Sequence, residues 1–164
     1  MEPLELSGYY TFRSLLNNPL PVDDFNRIKL EEAELFLIIH FDGKLTGTLS
    51  LPAEPAAPEK LFMNIIGTLN SSLPQTTLQF TAKGRKDTVI SDYLYEYSCA
   101  VTKTWEKGVD QLLSLTGTVI SSQDHKLESS VAKAGETASF VAVKRKHRGD
   151  EINIEEIFST NNIS

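Results

Sequence analysis

The sequence predicts an all-β fold, an eight-stranded antiparallel up-and-down β-barrel, and three observations lead there. Apolar and polar residues alternate with period two over eight separate stretches of the chain. Turn-forming residues separate most of these stretches, and the connections are too short for parallel crossovers. At 164 residues, 40% hydrophobic and 23% charged, the chain can build a core without disulfide or metal staples. Closing eight sequential strands into a barrel then removes every open edge.

Tyr10 and Phe12 mark the first strand, alternating with Tyr9, Thr11 and Arg13. The connection from Asn17 to Arg27 holds Pro19 and Pro21, with room for a short helical turn over Val22 to Arg27. The second strand begins at Glu34 and carries the inward row Leu35, Leu37, Ile39 and Phe41. The third carries Leu45, Gly47, Leu49 and Leu51. Parity decides the Asp42-Gly43 turn between them. A two-residue turn would place the two apolar rows on opposite faces. A three-residue turn, with Gly43 left-handed and a bulge, places them on one face and is the expectation.

A Pro/Ala loop, Pro52 to Pro58, leads to the fourth strand with Leu61, Met63, Ile65 and Gly67 inward. Asn70 to Gln75 turns the chain into the fifth, with Leu78, Phe80 and Ala82. Gly84 to Asp87 precedes the sixth, with Tyr93, Tyr95, Tyr97, Cys99 and Val101. Glu106-Lys107-Gly108 separates it from the seventh, with Leu113, Leu115, Gly117 and Val119. Gln123 to Gly135 reads as a polar loop before the last strand, with Ala138, Phe140 and Ala142. Residues 1–146 are expected to form the barrel, and 147–164 a polar tail in which Glu151 to Phe158 can make one short helix. The basic cluster Lys144 to Arg148 fits either a solvated strand end or a phosphate-binding or localisation patch.

Charge and termini narrow the setting. The net charge of −6 opposes a nucleic-acid partner, because phosphate contacts need a positive face. The single cysteine, Cys99, rules out an internal disulfide framework and suits a buried core position. No basic start leads into an apolar run, and Leu35 to Ile39 is far too short to span a bilayer. A cytoplasmic protein with no membrane partner is the expectation.

Three strands share one core: Leu45-Thr46-Gly47-Thr48-Leu49, Ile65-Ile66-Gly67-Thr68-Leu69 and Leu115-Thr116-Gly117-Thr118-Val119. An inward glycine lets a strand bend sharply, or leaves room for a large neighbour or a ligand. With this hairpin the chain resembles the calycin group, its avidin and lipocalin families in particular. Asp42-Gly43-Lys44-Leu45-Thr46-Gly47-Thr48 is similar to the Asp-Gly-x-Leu-Thr-Gly-Thr hairpin of avidins. Ser7-Gly8-Tyr9-Tyr10 resembles the Gly-x-Trp opening of the first strand, with Tyr10 in place of the tryptophan. Ser91-Asp92-Tyr93 partly matches the lipocalin Thr-Asp-Tyr element. The resemblance spans strand order over about residues 7 to 143 and implies a ligand-holding up-and-down barrel. It does not extend to biotin. The matching inward positions Phe12, Leu35, Leu49 and Leu51 are apolar and would leave biotin's polar groups unpaired.

The row Tyr93, Tyr95, Tyr97 is the most unusual feature, suited to a pocket wall whose hydroxyls orient a ligand, or to barrel core. Trp105 stands to lid or to plug the barrel. The histidines His40, His125 and His147 show no metal-ligand spacing, so no metal and no cofactor is expected. His40 faces outward by parity. Asp124-His125 can pair as acid and base over a barrel end, though a solvated loop is the expected setting. Arg13, Glu34 and Glu96 face outward by parity. No phosphate loop, nucleophile elbow or paired-carboxylate motif is visible, and no catalytic residue is assigned.

The expected function is a small-molecule-binding barrel for an apolar or aromatic ligand. Tyr10, Phe12, Leu37, Met63, Phe80, Tyr93, Tyr95, Tyr97 and Trp105 are the candidate lining. A cofactor-free isomerase or cyclase in the same cavity is the alternative, by analogy of fold. A third reading is an interaction module with a filled barrel. The outward apolar residues Phe36, Ile38, Phe62, Ile66, Val141 and Val143 favour a homo-oligomer, dimer or tetramer, in every case.

Overall fold

Period-two alternation buries one row of each strand, and a closed sheet gathers all those rows into one interior. The computed structural model describes residues 3–17, 22–52, 59–72, 75–102, 112–126 and 131–145. Eight strands close an antiparallel barrel: β1 (Gly8–Leu16), β2 (Lys29–Ile39), β3 (Lys44–Leu51), β4 (Leu61–Asn70), β5 (Thr77–Gly84), β6 (Leu94–Val101), β7 (Ser114–Ser121) and β10 (Thr137–Lys144). Each pairs with its neighbour in chain order among these eight, and β1 closes on β10. A two-stranded hairpin, β8 (His125–Lys126) with β9 (Val131–Ala132), is inserted between β7 and β10. A short helix, α1 (Pro3–Leu6), precedes β1, and a 3-10 turn at Phe25–Ile28 precedes β2.

The expected inward rows are the interior. Tyr10, Leu35, Leu37, Ile39, Leu78, Ala82, Val101, Leu115 and Ala142 are fully buried. The waist is filled by aromatic rings. Phe12 stacks on Phe140 at 5.2 Å and Phe80 on Tyr97 at 4.7 Å, with Tyr97 edge-on to Phe140 at 5.6 Å. Arg13, Glu34 and Glu96 lie outside: Arg13 pairs with Glu32, Arg145 with Glu34, and the Ser122 hydroxyl donates to Glu96.

The hairpin between β2 and β3 has the expected form. Gly43 has φ +80, its amide donates to the His40 carbonyl at 3.0 Å, and Ile39 pairs with Leu45. Two assignments change here. The turn takes His40 to Gly43, so β2 ends at Ile39 and Phe41 leaves the inward row, 83% exposed. β2 also starts at Lys29, because pairing with β1 extends through its charged first half: Glu32 and Glu34 face outward onto Arg13 and Arg145, while Glu31 lies opposite buried Ser14.

The repeated glycine serves the neighbouring strand, not a ligand. A Cβ on Gly47 would stand 2.0 Å from the Phe36 carbonyl oxygen, and one on Gly117 would stand 2.0 Å from that of Ser98. The strands approach too closely at these rungs for any side chain. His147 and the tail 147–164 lie outside the described residues, as do Trp105 and all of the basic cluster but Lys144 and Arg145.

Candidate ligand-binding site

The barrel's two ends are built differently. At the end where β1 begins, α1 lies across the opening: Leu6 is fully buried, and the Tyr10 hydroxyl donates to its carbonyl. The Ile39 amide donates to Ser7 Oγ at 2.9 Å, and the Lys144 ammonium reaches the Glu5 carbonyl. Burial holds the Tyr10 phenol far above its ordinary range, with the nearby Cys99 thiol adding to it. Tyr10 therefore stays a neutral donor, and among the described residues this end is sealed.

The opposite end holds a cavity of about 270 Å³. Its walls come from the ends of β1 and β2 (Leu16, Leu30), from β6 and β7 (Tyr95, Val119, Ser121), and from β9, the Glu136 turn and β10. Leu16, Leu30 and Val131 are 39%, 40% and 47% exposed, so the cavity opens to water. Apolar walls with a few convergent polar groups are the usual build of a small-molecule site.

His125 stands behind Tyr95, which lines this mouth. The expected solvated polar loop is instead the β8–β9 hairpin, and His125 is 2% exposed. Burial follows from its partners. Its Nδ1 faces the Gln123 carbonyl at 3.2 Å, and a carbonyl only accepts, so Nδ1 carries the proton. In that tautomer Nε2 accepts from the Tyr95 hydroxyl at 2.6 Å. The Tyr93 ring lies 4.2 Å from the imidazole, and its hydroxyl donates to the Lys126 carbonyl at 3.1 Å. The Asp124-His125 pairing is replaced by another. Asp124 accepts from the Ala134 amide at 2.9 Å and the Lys133 ammonium at 2.8 Å, anchoring the hairpin. The Ala134 amide, then Lys133, hold its carboxyl below the usual range.

Burial keeps Tyr95 un-ionised, and Tyr93 and the carboxylates of Glu31, Glu136 and Asp92 reinforce it. The Ser121 hydroxyl donates to the Gln123 carbonyl at 2.9 Å. Both hydroxyl protons are thus spent inside the protein.

The candidate lining residues separate into three groups. Tyr10, Phe12, Leu37, Met63, Phe80 and Tyr97 are brought together as sealed core, each at most 6% exposed. Tyr95 lines the cavity, and Tyr93, just before β6, supports His125. Trp105 lies outside the described residues. Sequence reasoning missed Leu16, Ser121 and Glu136, although continuing the inward parity of β1, β7 and β10 reaches all three. Leu30 had no such signal, because a register shift between Ser14 and Leu15 breaks the alternation beside it. Among the described residues no three His, Cys, Asp or Glu side chains are grouped to hold a metal ion. No helix among them is long and apolar enough to cross a membrane.

This fold and site define a closed eight-stranded up-and-down β-barrel, sealed at one end and open to a small apolar cavity at the other. No family model, no curated protein and no solved structure matches the chain.

Proposed function

We propose that the protein is a small-molecule-binding β-barrel of calycin-like architecture that holds an apolar or aromatic ligand in its open mouth. The observation that carries this reading is the 270 Å³ cavity, walled by aliphatic side chains and Tyr95, above a waist filled with the protein's own rings. The alternative, a cofactor-free isomerase or cyclase, needs an acid or base that ionises near neutral pH. Tyr95, held far above its ordinary range, suits positioning better than proton transfer. Association of copies belongs to the same proposal. Ile66, Val141 and Val143, at 68%, 45% and 36% exposed, give the outer wall an apolar surface for a dimer or tetramer. A cytoplasmic setting fits the lone free thiol.

Native mass spectrometry of protein purified gently from its own host tests both parts. The expected result is a multimer carrying a retained small molecule that Val131→Trp, which fills the mouth from an exposed position, fails to retain. Empty protein that also binds no apolar fragment in solution overturns the binding reading.

A further inference from the structure

The cavity's polar groups specify more than an apolar ligand. Of its ten lining residues, the one with an ionisable charge at neutral pH is an acid, Glu136. The Tyr95 hydroxyl donates its hydrogen bond to His125 Nε2 and the Ser121 hydroxyl donates to the Gln123 carbonyl, so toward a guest both oxygens offer lone pairs. No described cation lines the cavity: Lys133 is held on Asp124 at 2.8 Å, though its charge also acts on Glu136, Lys29 is held on Glu32 at 3.0 Å, and exposed Lys126, paired with Val131, is not part of the wall. Thr137, whose hydroxyl accepts from Asn17 Nδ2 at 3.0 Å, keeps a proton that can serve a neutral ligand. The wall as a whole supplies acceptors and negative charge, and its complement is a donor with positive charge.

We propose that the mouth cavity takes a small apolar amine, bound as its ammonium, with Tyr95, Ser121 and Glu136 accepting from it. This rests on the binding reading above and names the ligand class for that same site. The carboxylates of Glu31 and Asp92, which act on Tyr95 together with Glu136, place further negative charge around the mouth. An anionic ligand such as a fatty acid would meet that charge with no lining cation to receive its carboxylate.

Three probes sharing one ring test this: naphthylmethylamine as the ammonium, naphthylmethanol as the neutral isostere and naphthoate as the anion, titrated by fluorescence at neutral pH. The ammonium is expected to bind about tenfold or more tightly than naphthoate, with the alcohol between them. Glu136→Gln, at an exposed position, is expected to erase most of the ammonium's advantage over the alcohol. Val131→Trp is expected to lose all three. Equal affinity for the three probes, or preference for naphthoate, overturns the amine assignment and leaves the binding reading standing. Failure of every probe to bind overturns both. An ammonium preference unchanged in Glu136→Gln and in Glu31→Gln overturns the assignment of these acids as its source.

Discussion

The two ends of the barrel use the same side chain for opposite purposes. At the sealed end Tyr10 donates to a backbone carbonyl, that of Leu6, and its ring is fully buried. At the open end Tyr95 donates to a side chain, His125 Nε2, and its ring faces a cavity. A backbone partner on a helix laid across the opening leaves no room for a guest. A side-chain partner on a small inserted hairpin holds the hydroxyl at the wall and keeps the space in front of it. A tyrosine in this barrel is thus plug or wall according to what satisfies its hydroxyl.

The largest effect should come from truncating the sealed half. Leu37→Ala removes a fully buried side chain and is expected to cost about 2–5 kcal/mol in urea unfolding. Leu30→Ala, 40% exposed at the mouth, is expected to cost under about 1 kcal/mol while weakening ligand binding. Equal losses would erase the distinction between the ends.

Gly47→Ala comes next, at about 1–3 kcal/mol, because its Cβ would meet the Phe36 carbonyl oxygen at 2.0 Å. A neutral Gly47→Ala in thermal melts would show that the rung has slack and that the glycine is kept for another reason.

Removing the two hydroxyls sharpens the contrast. Tyr10→Phe and Tyr95→Phe should each destabilise by about 0.5–1.5 kcal/mol. Only Tyr95→Phe should alter affinity for a mouth ligand, which isothermal titration would read. A matching affinity loss in Tyr10→Phe would mean that the sealed end reaches the site.

The buried phenols set an alkaline limit. Tyr97, Tyr10 and Tyr95 are raised above the ordinary value of 10.0, mainly by burial. Their contribution is whole below that value. Above it the unfolded chain sheds protons that the folded chain keeps, so stability should fall as pH rises. Tyr97→Phe should flatten that fall, measured as urea midpoints across the alkaline range. The smallest effect is expected at Cys99, whose thiol burial pushes up to about 12 and which is 4% exposed. It should resist thiol reagents in the native protein and react on unfolding.

Much of this was legible in the sequence. Alternation identified the inward rows of all eight barrel strands, and parity alone demanded the bulged turn at Gly43. Phe41 was misplaced because a period continues on paper past the residue where the chain turns. The glycine repeat was visible, but its purpose was not. The atom it must avoid belongs to the adjacent strand, as with Gly117 and Ser98. His125 was misjudged because a histidine between Asp124 and Lys126 in a polar stretch carries no local mark of burial. Its partner Tyr95 stands 30 residues away.

By itself, then, the sequence determined the number of barrel strands, their antiparallel order and the side of the sheet on which most of their residues lie. Those follow from a period of two and from short turns, which are properties of neighbouring residues. Only the tertiary structure decided which end closes and which stays open. That choice rests on α1 covering one rim and the β8–β9 hairpin placing an imidazole at the other. Both are contacts between segments brought together by barrel closure, and no local pattern encodes where such segments meet.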